Sequence, residues 1–453
     1  MSEVAVSHSN VPRPLTSAEF NSLMKACGPF PESPRFAIAV SGGPDSIALL
    51  FMLHDWVMQH GGTLHAITVD HQLRAESSDE AAQVKQWCAE RSFSHATLVW
   101  EKDSNPQSAV HHQARKARYE LLCHACKQQN LDYLFLGHHA DDQAETVLMR
   151  IIKGSGIDGL AGMPKTRRFD GIKIIRPFLP IIKQRLVDTC MAHSWSFFHD
   201  PSNDSSAYLR GRLRQLAAPL AEEGLNTASL FELARSAGTA RAALEASTNE
   251  WLQRHVTTNT LGVIQMDVRV WKSLDDEHQR RTLIRILLCM SGEDYAPKNT
   301  SLDVLIQSLN NKETLHQTLC GCHIIVQLGL IKFYRELAAA PPSMPAGPVM
   351  LWDNRFKVVI DESLLNQDLV IAPLGERSRD QLEKMGYRQV ADCPALHRST
   401  LPALYVDNQL HSVPYFGANE EAVMASQALV KAIFLPKRML LIDCFDVCSV
   451  LLS

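Results

Sequence analysis

The stretch 36-FAIAVSGGPDSIALL-50 decides the fold. Residues 36–40 form a short apolar run that reads as a buried strand. Ser41-Gly42-Gly43-Pro44-Asp45-Ser46 follows, and apolar residues then resume at helical spacing over 46–59. Glycines at 42 and 43 let the backbone turn sharply and present bare N–H groups to an anion, and the next helix adds the positive end of its dipole. Ser41 and Ser46 can donate hydroxyl hydrogen bonds. A Walker loop would carry a lysine onto the β- and γ-phosphates. Here Asp45 stands in the loop instead, and an acid beside a polyphosphate makes chemical sense through Mg²⁺. Pro44 removes one N–H donor, so the cradle works with the others. Such a loop suits holding pyrophosphate while the α-phosphate is attacked. S-G-G alone is a common strand-to-helix turn, whereas S-G-G-x-D-S directly after a buried strand is far more specific.

Working outward, residues 64–69, 96–100 and 133–136 read as further strands, and 77–91, 108–129 and 141–153 as helices. Strand and helix in alternation predict an α/β fold with a doubly wound parallel sheet covered on both faces. Ligands of such sheets sit outside the carboxyl ends of the strands. Residues 41–46, Asp70-His71 and 137–142 all fall at those ends, so three separated motifs converge on one crevice. Beyond 220 the texture changes. Residues 228–254 and 277–290 are helical in pattern with a strand-like piece at 261–268, which predicts a mainly helical module. The stretch 338-AAAPPSMPAGP-348 reads as a linker, and the short strands at 349–360 and 403–415 as a small α+β domain. The expected organisation is a catalytic domain over 1–217, a middle domain over 218–337, the linker, and a C-terminal domain over 349–453.

Bulk properties narrow the class. A chain of 453 residues is too long for a single core. A formal net charge of −4 means that any nucleic-acid partner is held by local basic clusters. Eleven cysteines without a repeated spacing read as reduced thiols of a cytoplasmic protein. The N-terminus lacks the basic-then-apolar order of a signal peptide. The apolar run 439–453 is too short to span a bilayer and carries Asp443 and Asp446, so no membrane association is expected.

The second constellation is 137-GHHADDQAETVLMRIIKGSGIDGLAGM-163. Asp142 and Glu145 lie three apart at a helix start and share one face. Either acid alone reads as a helix cap, but together at a strand end they suit a cationic substrate such as an amine. The histidine and acid spacing matches neither a zincin helix nor a zinc finger. Arg115 and Arg118 precede Tyr119 on one helical face. Arg210, Arg212 and Arg214, with Lys165, Arg167, Arg168, Lys173, Arg176, Lys183 and Arg185, form a plausible phosphate-backbone footprint.

SGGPDS resembles the PP-loop of the N-type ATP pyrophosphatases. Together with DHQLRAESSDEA, RKARY, GHHADDQAET, GSGIDGLAGM, IIRPFL and DPSNDSSAYLRGRLR, in this order, it resembles the tRNA(Ile)-lysidine synthetase family. The match is dense over the first half of the chain. TLCGCHIIVQLGLIKFYRE at 318–336 is similar to the family's middle domain, and the last hundred or so residues to a divergent version of its C-terminal domain. The resemblance implies that ATP adenylates the carbonyl oxygen of the wobble cytidine of a tRNA(Ile) with a CAU anticodon. The ε-amine of free L-lysine then attacks that carbon and expels AMP. It further implies that Ser41, Gly42, Gly43, Pro44, Asp45 and Ser46 hold ATP, with Asp45 placing Mg²⁺. Arg118 would act beside the nucleotide, and His138, Asp142 and Glu145 would form the lysine and active-site motif, with the two acids attracting the lysine. Asp45, Arg118 and His138 are the expected catalytic residues. Arg176, Arg210 and Arg214 would meet tRNA, and Asp200 and Asn203 would shape the adjoining edge. Gly211 stands where the family carries asparagine. The sequence leaves open whether the chain forms a homodimer.

The strongest rival is tRNA 2-thiolation, whose enzymes share the loop and the GHH-x-x-D element. Cys123-His124-Ala125-Cys126 is a C-x-x-C of the kind that holds an iron–sulfur cluster or relays sulfur. Its place inside a helical stretch, without a convincing third cysteine ligand, favours a packing role.

Overall fold

The computed structural model describes residues 13–72, 77–100, 110–198 (backbone only for 110–116), 209–293, 295–365, 368–418 and 428–441. The chain divides into two compact units, residues 1–241 and 242–451.

The first unit is built on six strands: β1 (Arg35–Ala39), β2 (Thr63–Asp70), β3 (Ser94–Val99), β4 (Tyr133–Phe135), β5 (Thr166–Phe169) and β6 (Ile172–Ile175). Their order in the sheet is β3-β2-β1-β4-β6-β5. Every pairing is parallel except that of β5 with β6. Strand order therefore reverses between β1 and β4, and that switch point is where a doubly wound sheet opens a crevice. The helices are α1 (Ser17–Lys25), α2 (Pro44–Gln59), α3 (Ser77–Glu90), α4 (Val110–Gln128), α5 (Ala140–Ile152), α6 (Ile157–Leu160), α7 (Lys183–Ala192), α8 (Leu209–Glu222) and α9 (Thr227–His255).

Alternation along β1 feeds two cores. Phe36 and Ile38 join Leu49, Leu53, Phe135 and Phe178 on one face. Ala37 points to the other, where it meets Cys123, Cys126, Leu134 and Ile174. A strand buried on both faces must read as a continuous apolar run, as 36–40 does. The β5–β6 pair escaped the sequence reading because residues 165–176 hold five Lys and Arg and read together as a basic surface run. Its cations cover aromatic rings. The Arg167 guanidinium lies 5.5 Å from the Tyr119 ring centre and 5.2 Å from that of Phe169.

In the second unit, α10 (Val268–Lys272), α11 (Asp276–Ser291) and α12 (Asn299–Asn311) accompany an antiparallel sheet. Its strands are β7 (Thr257–Thr258), β8 (Ile264–Asp267), β9 (Leu315–Leu319), β10 (Cys322–Gln327) and β11 (Leu330–Arg335), in the order β7-β8-β11-β10-β9. The helix expected over 277–290 is α11 and the strand-like piece expected over 261–268 contains β8, while the other strands of the sheet were not expected. Trp271, Leu283, Leu287, Leu302, Ile324 and Phe333 fill the core between helices and sheet.

The proline-rich stretch expected as a linker is built into the structure. Leu337–Ala339 makes a 3₁₀ turn, and Met344–Pro345 forms the edge strand β12. It pairs with β15 (Val370–Pro373), introduced after β13 (Val349–Trp352) and β14 (Phe356–Ile360). Prolines are compatible with an edge strand, which needs fewer ladder donors. With β16 (Pro402–Val406), β17 (Gln409–Ser412), β18 (Tyr415–Gly417) and β19 (Val430–Phe434), these strands form two four-stranded sheets. Among the described residues, no helix is long and apolar enough to cross a membrane.

Candidate active site

The loop after β1 is held by its own serines. Val40 N–H donates to Ile67 O on β2 at 2.9 Å, which ends the parallel ladder. Ser41 N–H then donates to Ser46 Oγ at 3.1 Å, and Ser46 Oγ donates to Gly43 O at 3.0 Å. Gly42 has φ +85°, and a Cβ there would come within 2.6 Å of the Phe198 ring, so only glycine fits. Gly43 is the N-cap of α2 and Pro44 its first residue, where a missing N–H costs no helical hydrogen bond. Gly137, just after β4, faces the same helix start: a Cβ would sit 3.0 Å from the Asp45 carbonyl. The two loops at the switch point are therefore in contact.

These loops border a cleft of about 1210 Å³. The loop residues other than Gly42 line it, with Arg118, His138, Asp142, Glu145, Arg210 and Arg214; Arg212, Arg176 and the other basic residues of 165–185 except Lys183 do not. Asp45 turns one carboxylate oxygen, Oδ2, toward His139, with Nε2 at 3.5 Å. Its Oδ1 is buried without a hydrogen-bond partner among the described residues. Asp142 Oδ2 accepts the His139 N–H at 3.1 Å and lies 3.5 Å from His139 Nε2. Asp141 Oδ2 lies 3.4 Å from His139 Nδ1 and accepts the Lys183 N–H at 2.8 Å, while its Oδ1 accepts from Thr227 Oγ1 at 3.2 Å. Burial disfavours charge on His139, but Asp141, Asp45 and Asp142 outweigh it and push the imidazole up to about 10. The same balance, burial opposed by His139 and the Lys183 N–H, brings Asp141 down to about 2.

Glu145 is 7% exposed, and its Oε1 accepts from Arg214 Nε at 2.5 Å, with Arg210 Nε 3.9 Å from Oε2. The acid read as a lysine contact and the arginines read as tRNA contacts are thus neighbours. A buried carboxylate without such partners would be costly. At the end of β2, Asp70 accepts from Ser77 Oγ and Ser78 Oγ, each at 2.7 Å, and from Gln72 N–H at 2.9 Å. Burial opposes its ionisation, yet these donors hold the carboxyl below its usual range. Burial and then the charge of Arg118 lower the basicity of His71 beside it. Gln143 clasps the GSGIDGLAGM loop: Nε2 donates to Met163 O at 3.0 Å, and Oε1 accepts the Met163 N–H at 2.7 Å.

Arg176 corrects an expectation. It is 2% exposed and donates from Nη1 to Pro164 O at 2.9 Å and from Nη2 to Tyr119 Oη at 3.4 Å. A guanidinium spent on interior acceptors is not available to an RNA backbone. Arg185 is likewise engaged, its Nη2 donating to Glu19 Oε1 and Oε2 at 2.8 and 2.9 Å. Asp200 and Asn203 lie outside the described residues, as does the side chain of Arg115. Gly211 is buried in α8. Cys123 and Cys126 are buried in the apolar cluster behind β1, where burial pushes both thiols up to about 12. Sequence reading missed His139, Asp141 and Thr227. His139 is indistinguishable from His138 in a His-His pair, because only the tertiary fold buries one among acids.

Comparison with known proteins agrees with this geometry. Residues 14–221 match the PP-loop domain family. The chain is 36% identical over 323 residues to tRNA(Ile)-lysidine synthase of Ruegeria pomeroyi, covering 71% of this chain and 76% of that protein. It is 35% identical over 356 residues to the same-named protein of a Bradyrhizobium species, covering 74% of this chain and 97% of that one. With that of Wolbachia pipientis wMel it shares 32% identity over 396 residues, covering 85% and 90%. The chain belongs to the tRNA(Ile)-lysidine synthase family.

Proposed function

We propose that this protein joins free L-lysine to the wobble cytidine of tRNA(Ile) with a CAU anticodon, at the expense of ATP. The observation that carries this reading is the sharing of one cleft by the phosphate loop 41–46 and the acids Asp142 and Glu145. ATP lays its phosphates on the loop N–H groups, the Ser41 and Ser46 hydroxyls and the start of α2. The unpartnered Oδ1 of Asp45 fits Mg²⁺, which would supply charge neutralisation at the phosphates. Arg118 lies beside the nucleotide. The cytidine carbonyl oxygen attacks the α-phosphate, a P–O bond forms and pyrophosphate leaves. The uncharged lysine ε-amine then adds to the activated carbon, the C–O bond breaks, AMP departs with the oxygen, and the amine proton is lost. Activation is needed because AMP is a good leaving group and a bare carbonyl oxygen is not.

Asp142 and Glu145 draw the lysine cation in. The substrate ammonium competes with Arg214 for Glu145, and tRNA phosphate is the alternative partner for that guanidinium. Arg210 and Arg214 sit on α8 at the edge of the cleft, suited to that contact. The test is pyrophosphate release by the purified protein with ATP, Mg²⁺ and tRNA(Ile) transcript, varying the amino acid. Lysine should stimulate release, and equal stimulation by arginine or ornithine would overturn the substrate assignment.

A further inference from the structure

One buried side chain stands between the two halves of the cleft and takes no part in the bond changes above. The His139 ring meets acids at both nitrogens: Asp45 Oδ2 and Asp142 Oδ2 at Nε2, and Asp141 Oδ2 at Nδ1. All three approaches are at ion-pair distance, 3.4–3.5 Å, so one ring spaces three carboxylates. Asp45 belongs to the first turn of α2 and Asp142 to the first turn of α5. Both face the same imidazole nitrogen, each 3.5 Å from Nε2. The third acid fixes the ring in turn, since Asp141 accepts from Lys183 N–H at the start of α7 and from Thr227 at the start of α9. Without the imidazole, three carboxylates would repel one another in a partly closed cleft.

We propose that His139 is a positioning residue that ties the Asp45 carboxylate of the nucleotide loop to the Asp142 carboxylate of the amine site. The inference rests on the lysidine reading of this cleft. Committing Asp45 Oδ2 to His139 leaves Oδ1 for the phosphate side, and committing Asp142 Oδ2 fixes the acid that faces lysine. Nucleotide and amine binding therefore depend on one shared contact. A change at His139 acts on both, whereas a merely local defect would act on one.

The experiment uses the full chain, tRNA(Ile) transcript, ATP and lysine, with His139→Gln, Asp141→Asn and the double variant. His139→Gln should raise KM for ATP and KM for lysine together, each by about tenfold or more. The double variant removes one of the three acids that the ring spaces, so it should recover a substantial part of both losses. Asp141→Asn alone, which loosens the ring but keeps it, should raise both KM values by a smaller factor. A His139→Gln protein with either KM unchanged would overturn the proposal. So would a double variant no better than the single one, or, should His139→Gln not fold, Asp141→Asn with unchanged KM values. Calorimetric titration with ATP separates this inference from the one beneath it. Wild-type protein that binds ATP but never uses lysine sinks the lysidine reading, while intact ATP affinity in folded His139→Gln sinks the role of His139.

Discussion

Two clusters of buried charge in this protein have opposite excess. In the first unit, Asp45, Asp141 and Asp142 surround the single cation His139. In the second unit, Asp353 is shared by two arginines. Arg335 donates to it at 3.0 and 2.9 Å, and Arg355 at 2.7 Å. Glu245 is also shared by Arg281 and Arg285, though there Glu277 Oε1, 2.7 Å from Arg281 Nε, balances the charge. The surplus cations of the second unit turn to the backbone: Arg335 to Gly321 O at 3.1 Å and to Ala339 O, and Arg355 to Thr400 O. The surplus anions of the first unit line a cleft, and one of their oxygens has no protein partner among the described residues. Carbonyls can absorb excess guanidinium inside a fold. Excess carboxylate needs donors instead: Asp141 finds the Lys183 N–H and Thr227 Oγ1, whereas Asp45 Oδ1 finds none among the described residues and is better met by a ligand cation. One cluster is read as structure and the other as a site.

The largest expected effect tests that division directly. Asp45→Ala should lower turnover by about a thousandfold, about 4 kcal/mol of barrier, while thermal denaturation shows a folded protein. Loss of folding with loss of activity would make Asp45 a structural acid like Asp353. Asp353→Ala should cost about 3–5 kcal/mol in urea denaturation because two buried guanidinium groups lose their counter-charge. A cost under about 1 kcal/mol would erase the contrast. At the rim of the cleft, Arg214→Ala frees Glu145 and should lower KM for lysine while raising KM for tRNA, each by about tenfold. Movement of both in one direction would break the competition.

The second unit also carries a pH signature. His397 is fully buried, its Nε2 2.6 Å from Leu261 O, and burial followed by the nearby Arg355 charge brings it down to about 3 from 6.5. The unfolded chain binds the proton first, so this contribution is complete above pH 6.5. It is lost progressively as pH falls toward 3, by up to about 1.4 kcal/mol per pH unit. His397→Gln should flatten that slope in denaturation measured across pH. Last, Cys123→Ser places a hydroxyl in an apolar cluster. It should cost about 1–2 kcal/mol of stability and leave turnover within about twofold. Damage equal to that of Asp45→Ala would reopen a sulfur-transfer role for the C-x-x-C.

The parallel sheet was legible because a strand buried on both faces must be apolar throughout, as 36–40 is, and because each cleft motif follows such a strand. The sheet of the second unit was less so. Its strands, such as 315-LHQTL-319, are buried on one face only and carry polar residues between, which a helix-biased reading passes over. Leu328 and Gly329, both with positive φ, make the β10–β11 turn, a leucine where asparagine or glycine would have signalled a hairpin. At the site, the loop residues were readable from chemistry at fixed spacing. Pairings across the fold, His139 with Asp45 and Glu145 with Arg214, were not, because nothing local in the sequence records which charges meet. Arg176 shows the same limit in reverse: a basic residue in a basic run was read as surface, and the fold buried it.

If the cleft joins an amine to an adenylated base, the product nucleoside records it. After incubation of the full chain with ATP, Mg²⁺, lysine and tRNA(Ile) transcript, nuclease digestion and mass spectrometry report on the wobble position. The wobble cytidine should have gained one lysine less one water, a product absent when lysine is withheld. An unmodified cytidine despite pyrophosphate release, or an oxygen-to-sulfur exchange when a sulfur donor is supplied, would contradict it.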